Sequence, residues 1–242
     1  MLAVTLDVDW APDKIVDEVI SVLDSYRVPA TLFCTNFSKD VSGNSSSLAG
    51  RFHERHEIAL HPNFQHTGTY DEVWDALLKL YPAAKGWRSH NGVTGWPITS
   101  GGAERGLRYE VYPAVFQNYV APCQVNRALK GHYVFTTAFW DSHMLHEPGF
   151  SWSASDLPHR KLFEDESTVV VLGFHPNILY YDMRSHTEYD ARKPSYHEVD
   201  GADSFRHHRP AGAMKLLYEM LEMLPSRHFT TISSFGACAG FW

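Results

Sequence analysis

The chain has 242 residues, a formal net charge of −7 with histidine neutral, and 44% hydrophobic against 20% charged residues. That acidic balance argues against a nucleic-acid backbone as the main partner, since phosphate chains are held by clustered Lys and Arg. The one compact basic cluster, FRHHR at 205–209, reads either as a solvated loop before a helix or as an anion site.

No apolar run approaches the roughly 18 residues of a membrane helix, and the N-terminus, MLAVTLDVDW, lacks the basic start of a signal peptide. Cys34, Cys123 and Cys238 stand apart, so neither a metal knuckle nor a disulfide framework is signalled. Reduced thiols in a cytoplasmic setting are the expectation, as is one domain over 1–242 with a sizeable core.

Leu2 to Val8 reads as a buried strand, short and rich in β-branched residues. A helix is expected over 13–26, where Ile15, Val16, Val19, Ile20 and Leu23 recur at helical spacing. A second strand covers 28–36, a serine-rich loop 42–47, a third strand 57–61 and a second helix 70–82. Later strands are expected at GWRSH, YVFTTAFW, TVVVLGFH and FTTIS, with a last helix over 210–225. GGAERG at 101–106 reads as a weak glycine loop. Strands alternating with helices imply parallel pairing through right-handed crossovers, an α/β fold.

The chemistry-bearing residues gather at the strand ends. Asp7 and Asp9 are i and i+2 on the first strand and project to one side. Two buried carboxylates are costly unless a cation or donors compensate them. His61 closes the third strand and His66 follows, giving with Asp9 a carboxylate and two imidazoles that suit zinc or another first-row divalent ion. Arg88 sits in GWRSHN, and His175 ends VVVLGF. In a barrel, strand C-termini converge on the face that carries active sites. The tripeptide HPN occurs twice, at 61–63 and 175–177. Proline disfavours helix for the residue before it, so His-Pro holds an imidazole on extended backbone where pairing stops.

These segments resemble the motifs of the polysaccharide deacetylase family, the NodB-homology group or carbohydrate esterase family four. TLDVDW is similar to its first motif, EIALHPNFQH to its histidine motif, WRSH to its arginine motif, FWDSH to its acidic motif and VLGFHPN to its late histidine motif. The HPN form resembles a subgroup associated with surface-polysaccharide gene clusters. The resemblance implies a distorted (β/α) barrel and a divalent ion, zinc foremost, held by Asp9, His61 and His66, with His56 as the fallback ligand. It implies Asp7 as the base for the attacking water, Arg88 as its holder, and His175 as the acid that protonates the leaving amine. Asp141, or else Glu147, would orient His175, and Trp10, His90 and Trp140 would contact substrate.

The activity so implied is metal-dependent removal of an N-acyl group, N-acetyl first, from an amino sugar or saccharide. Two other readings stay open: hydrolysis of a non-sugar amide such as a ureide, cyclic imide or formamide, and a non-catalytic carbohydrate-binding barrel. The hydrophilic stretch 184–201 would either cover the site or lie solvated beside it.

Overall fold

The computed structural model describes residues 1–9, 11–35, 55–65, 68–112, 126–129, 131–157, 169–195 and 204–242. Among these residues eight strands form one sheet: β1 (Leu2–Val8), β2 (Ala30–Cys34), β3 (Glu57–Leu60), β4 (Gly86–Trp87), β5 (Tyr109–Tyr112), β6 (Asn126–Leu129), β7 (His132–Trp140) and β8 (Val170–Phe174). The order β5-β4-β3-β2-β1-β8-β7 closes on itself because β5 also pairs with β7, and every pairing in that ring is parallel. The result is a barrel of seven parallel strands, with β6 added antiparallel to β7.

Alternation along each strand divides the apolar residues into two sets. On β1, Leu2, Val4, Leu6 and Val8 face the helices, whereas Ala3 belongs to the separate interior cluster with Phe33, Ala59, Tyr109, Phe135 and Val171. Both sets are fully or almost fully buried. Each large aliphatic so placed contributes about 1.5–3 kcal/mol relative to exposure. The outer set meets α1 (Asp13–Ser25), whose Ile15, Val16, Val19, Ile20 and Leu23 are buried at the expected spacing.

α2 (Tyr70–Leu80) begins at a reciprocal cap between Thr69 and Glu72. GGAERG, expected as a loop, instead lies mostly in α3 (Trp96–Glu104). Gly101 and Gly102 are tolerated there because a Cβ at either would come within 3.0 Å of the indoles of Trp74 and Trp87. α4 (Asp141–Met144) and α5 (Pro176–Tyr180) are single turns following β7 and β8. α6 (His186–Arg192) opens the stretch 184–201, whose residues from 196 onward lie outside the described set, as does the serine-rich loop.

The expected helix at 210–225 is α7 (Ala213–Met223), shortened because the Asp182 carboxylate caps its start through the backbone N–H groups of Gly212 and Met214 (3.0 and 2.9 Å). FTTIS, expected as a strand, supplies only a bridge from Phe229 to Leu2. Thr231 then caps α8 (Ile232–Cys238) through Ser234 N–H, so the β-branched run ends in a helix start. The short strands β5 and β6 lay outside the expected elements.

α8 closes the N-terminal end of the barrel. Glu57, first residue of β3, accepts from Tyr109 Oη at 2.6 Å, Thr31 Oγ1 at 3.0 Å and Ser233 N at 3.0 Å. Trp242 stacks on Tyr109 at 6.0 Å. With that end plugged, the C-terminal end is left for the site. No helix among the described residues is long and apolar enough to cross a membrane.

Candidate active site at the barrel mouth

Inward alternation places the polar residues in two layers. The lower layer is an ion pair: Arg88 Nη1 donates to Asp7 Oδ1 at 2.7 Å, and both side chains are completely buried. Arg88 Nη2 donates to Thr137 Oγ1 at 3.2 Å, and the guanidinium lies 4.3 Å over the Phe33 ring. Asp7 Oδ2 has no hydrogen-bond partner among the described residues. A buried carboxylate with one oxygen fixed and the other unsatisfied costs stability and is kept ready for a proton or a donor.

The upper layer repeats the device two residues further along each strand. Although β4 is only Gly86–Trp87, its ladder continues: Arg88 N donates to Leu60 O and His90 N to Pro62 O, both at 2.9 Å. Arg88 and His90 therefore face the same side, as Asp7 and Asp9 do. His90 Nδ1 and His61 Nε2 each lie 2.9 Å from Asp9 Oδ1. His61 Nδ1 donates to the Arg88 carbonyl at 2.7 Å, and since a carbonyl only accepts, Nε2 is the nitrogen left for a ligand.

These three donor atoms lie within 4.8 Å of one another. Two imidazoles aimed at one carboxylate oxygen form a set that fits a first-row divalent ion. Burial alone would raise the Asp9 carboxyl, but His61, His90 and His175 outweigh it and hold Asp9 well below the usual carboxylate range. Burial likewise works against a charged His61, and Asp7 and Asp9 overcome it, raising its pKa.

His175 approaches from the opposite side. It ends β8 on extended backbone (φ −113°, ψ 128°), and Pro176 starts α5. Its Nε2 stands 4.0 Å from Asp7 Oδ2 and 3.7 Å from Asp9 Oδ2. Behind it, Nδ1 donates to Asp141 Oδ1 and the backbone N–H to Asp141 Oδ2, each at 2.7 Å. Burial opposes the imidazolium, but Asp141 first, then Asp7 and Asp9, push its pKa up to about 9. Burial is the largest influence on Asp141 and leaves its carboxyl raised, against the pull of His175 and two backbone N–H groups.

A bulge brings Trp140 into this arrangement. The register between β7 and β8 shifts between Thr137 and Phe139, so Phe139 packs outward and Trp140 comes round to the mouth. Its indole stacks on His175 (6.2 Å, 10° between planes) and, with its other neighbour His143, at 5.4 Å and 24°. Gly173, beneath His175, admits the indole: a Cβ there would sit 3.0 Å from Trp140 Cδ1.

The structure thus brings together Asp7, Asp9, His61, Arg88, His90, Trp140, Asp141 and His175. It puts Asp141 rather than Glu147 behind the imidazole of His175. His66 and Trp10 lie outside the described residues. His56, the fallback ligand, sits elsewhere: Ala30 N donates to its Nδ1 at 3.1 Å, at the opposite end of β2, and its Nε2 is 3.4 Å from Asp24. His56 precedes β3, so the strand's length separates it from His61. His90, expected as a substrate contact, is the third donor beside Asp9 and His61. The signal for it was already present, because Arg88 and His90 repeat the i, i+2 spacing of Asp7 and Asp9. Thr137 was missed, being one of two adjacent threonines in an apolar strand.

A profile of WbmS-like polysaccharide deacetylases matches residues 4–193. The chain belongs to the WbmS-like polysaccharide deacetylase family. Solved structures agree with this chain in fold. A Bordetella bronchiseptica protein described as a polysaccharide deacetylase involved in O-antigen biosynthesis superposes with a TM-score of 0.73 at 24% identity, covering 92% of this chain and 90% of that one. A family 4 acetyl xylan esterase from Clostridium thermocellum, in complex with cobalt, gives 0.54 at 14% identity, covering 99% and 91%. A family 4 carbohydrate esterase from Streptomyces lividans, in complex with acetate, gives 0.51 at 13%, covering 95% and 90%. No curated protein sequence matches the chain.

Proposed function

We propose that the protein hydrolyses the N-acyl amide of an amino sugar, N-acetyl first, with a divalent ion held by Asp9, His61 and His90. The observation that carries this reading is the gap between Asp7 Oδ2, which has no hydrogen-bond partner among the described residues, and His175 Nε2, 4.0 Å apart beside the donor triad. A base and an acid facing each other across a metal site are what amide hydrolysis requires.

A divalent ion bound there, with zinc the first candidate, would lower the pKa of water from about 15.7 to about 7 and polarise the amide carbonyl. Asp7 Oδ2 takes the proton of the attacking water. Arg88 fixes Oδ1 and so keeps Oδ2 directed at the mouth. His175 Nε2–H gives its proton to the leaving nitrogen, which departs as the amine. Asp141 holds that imidazole by both Nδ1 and the backbone, and Trp140 fixes its plane. Acid and base would each contribute roughly 10²–10⁴-fold.

In this reading a small saccharide or oligosaccharide reaches the mouth in the cytoplasm. The family assignment and the likeness to the O-antigen-associated protein support a bacterial surface saccharide as the source of the amino sugar. His66 remains a candidate further donor from the sequence. The test is a substrate panel: metal-replete protein should release acetate from N-acetylated amino sugars and leave ureides and cyclic imides intact. Turnover of the imides with none of the sugars would replace this reading.

A further inference from the structure

Three imidazoles gather beside the candidate acid without entering the donor triad. Ser142, His143, Leu145, His146, His186 and Tyr189 line a cavity of ≈180 Å³ between α4 and α6. α4 follows the C-terminal end of β7, which puts the cavity at the mouth end of the barrel. Its walls are joined to each other and to the site. His186 N donates to Leu145 O at 2.9 Å, and Ser142 N donates at 2.6 Å to Asp141 Oδ1, the oxygen that holds His175. The Trp140 indole links the two compartments, stacking on His175 at 6.2 Å and on His143 at 5.4 Å.

Much of the polar lining is uncommitted. The side chains of Ser142, His143 and His146 make no hydrogen bond among the described residues. His186 Nδ1 lies 3.1 Å from Asp190 Oδ2, and with the proton on that nitrogen the ring offers Nε2 as an acceptor. Flat surfaces flank these nitrogens: the His146 and His186 rings are 4.0 Å apart, and Tyr189 stacks on His186 at 5.8 Å. No Asp, Glu, Lys or Arg among the described residues lines the cavity. Asp190 and Lys193 approach His186 and Tyr189 from outside the lining.

Such a surface suits neutral hydroxyls. A neutral imidazole both donates and accepts, as a hydroxyl does, whereas an anion calls for protonated rings. Burial first, then His146 and His175, lower the pKa of His143, which favours the neutral ring. The close contact of His146 with His186 disfavours charging both. A pyranose carries hydroxyls around its edge and C–H groups on its faces, matching free nitrogens set among flat rings. The volume falls below the roughly 300–1,000 Å³ of sites that enclose drug-sized ligands, which leaves room for one ring.

We propose that the cavity between α4 and α6 seats a neutral pyranose ring linked to the amino sugar whose amide is hydrolysed, making the substrate at least a disaccharide. The inference deepens the deacylase reading and rests on it for the identity of the adjoining unit. The full chain, chelator-treated to prevent turnover, would be titrated with N-acetylglucosamine and with N,N′-diacetylchitobiose. NMR of its fifteen histidine imidazoles, assigned with single His→Gln variants, reads the response. The disaccharide is expected to shift His143, His146 and His186 saturably and to bind at least about tenfold tighter than the monosaccharide. His146→Ala/His186→Ala with native circular dichroism should lose that gain. Unmoved signals from the three imidazoles, equal affinity for the two sugars in the unmodified chain, or a response to inorganic phosphate alone overturns the proposal. Acetate release by the metal-restored chain is scored separately. Shifts without release strike the deacylase reading and keep the ring in its seat, and release without shifts does the reverse.

Discussion

His90 Nδ1 lies 2.9 Å from Asp9 Oδ1, two residues above the contact of Arg88 with Asp7. One pairing of strand ends thus supplies both a buried ion pair and, a layer higher, two members of a donor triad. Removing His90 takes away one of three donors without touching Asp7 or Arg88. His90→Ala and His61→Ala should each lower the bound divalent metal at least about tenfold in affinity, as loss of a direct ligand does at least as much as loss of its supporting contact. Metal analysis after dialysis against a weak chelator measures this. His66→Ala run alongside assigns that residue, and an unchanged metal content in His90→Ala would remove it from the site.

Arg88 carries a different consequence, because its partner is fully buried. Arg88→Met leaves the Asp7 charge without its partner, at a cost of about 3–5 kcal/mol. For a chain of this size that corresponds to a fall in Tm of roughly 10 °C. Asp7→Asn/Arg88→Met should melt higher than Arg88→Met alone, since the stranded charge is gone. Equal melting temperatures would mean that the pair contributes no coupling.

Gly173 is where backbone makes room for chemistry. In Gly173→Ala the new Cβ pushes the Trp140 indole away from His175 by a few tenths of an ångström. We expect kcat to fall about tenfold or more, as small displacements of catalytic groups are expensive, with metal content unchanged. Crystallography of the variant would show the rotated indole, and an unshifted ring with full activity would contradict the assigned role of the stack.

The His175–Asp141 pair predicts how the metal-free chain responds to pH. The folded His175 pKa of about 9 lies above the ordinary 6.5, so its stabilising contribution is complete below about pH 6.5 and is lost as the pH rises through 9. The loss should be on the order of 1–3 kcal/mol. Thermal melts of chelator-treated protein between pH 6 and 10 should show Tm falling over that window. Asp141→Asn should flatten the fall, and an equally steep fall in that variant would dissociate it from this pair.

Much of this arrangement was legible beforehand because it rests on simple periodicities. Period-two alternation placed Asp7 with Asp9, and the second His-Pro pair held His175 on extended backbone as expected. The family motifs brought Arg88 and Asp141 into view. Apart from the place of His90 beside Asp9, what escaped had no local signal. β5 is four residues long, and β4 would not count as a strand without its neighbours. FTTIS has the composition of a strand, yet Thr231 found a partner in Ser234 and turned the chain into a helix. The bulge that turns Trp140 to the mouth follows from the pairing of β7 with β8, which no reading of β7 by itself contains.

The central claim is that Asp7 is the base in a metal-dependent deacylation. Acetate release by Asp7→Asn, measured beside its metal content on an N-acetylated amino sugar turned over by the unmodified chain, tests it most directly. The account predicts full metal occupancy and loss of at least about 10²-fold in kcat. An Asp7→Asn protein that keeps its metal and releases acetate at the unmodified rate would contradict it.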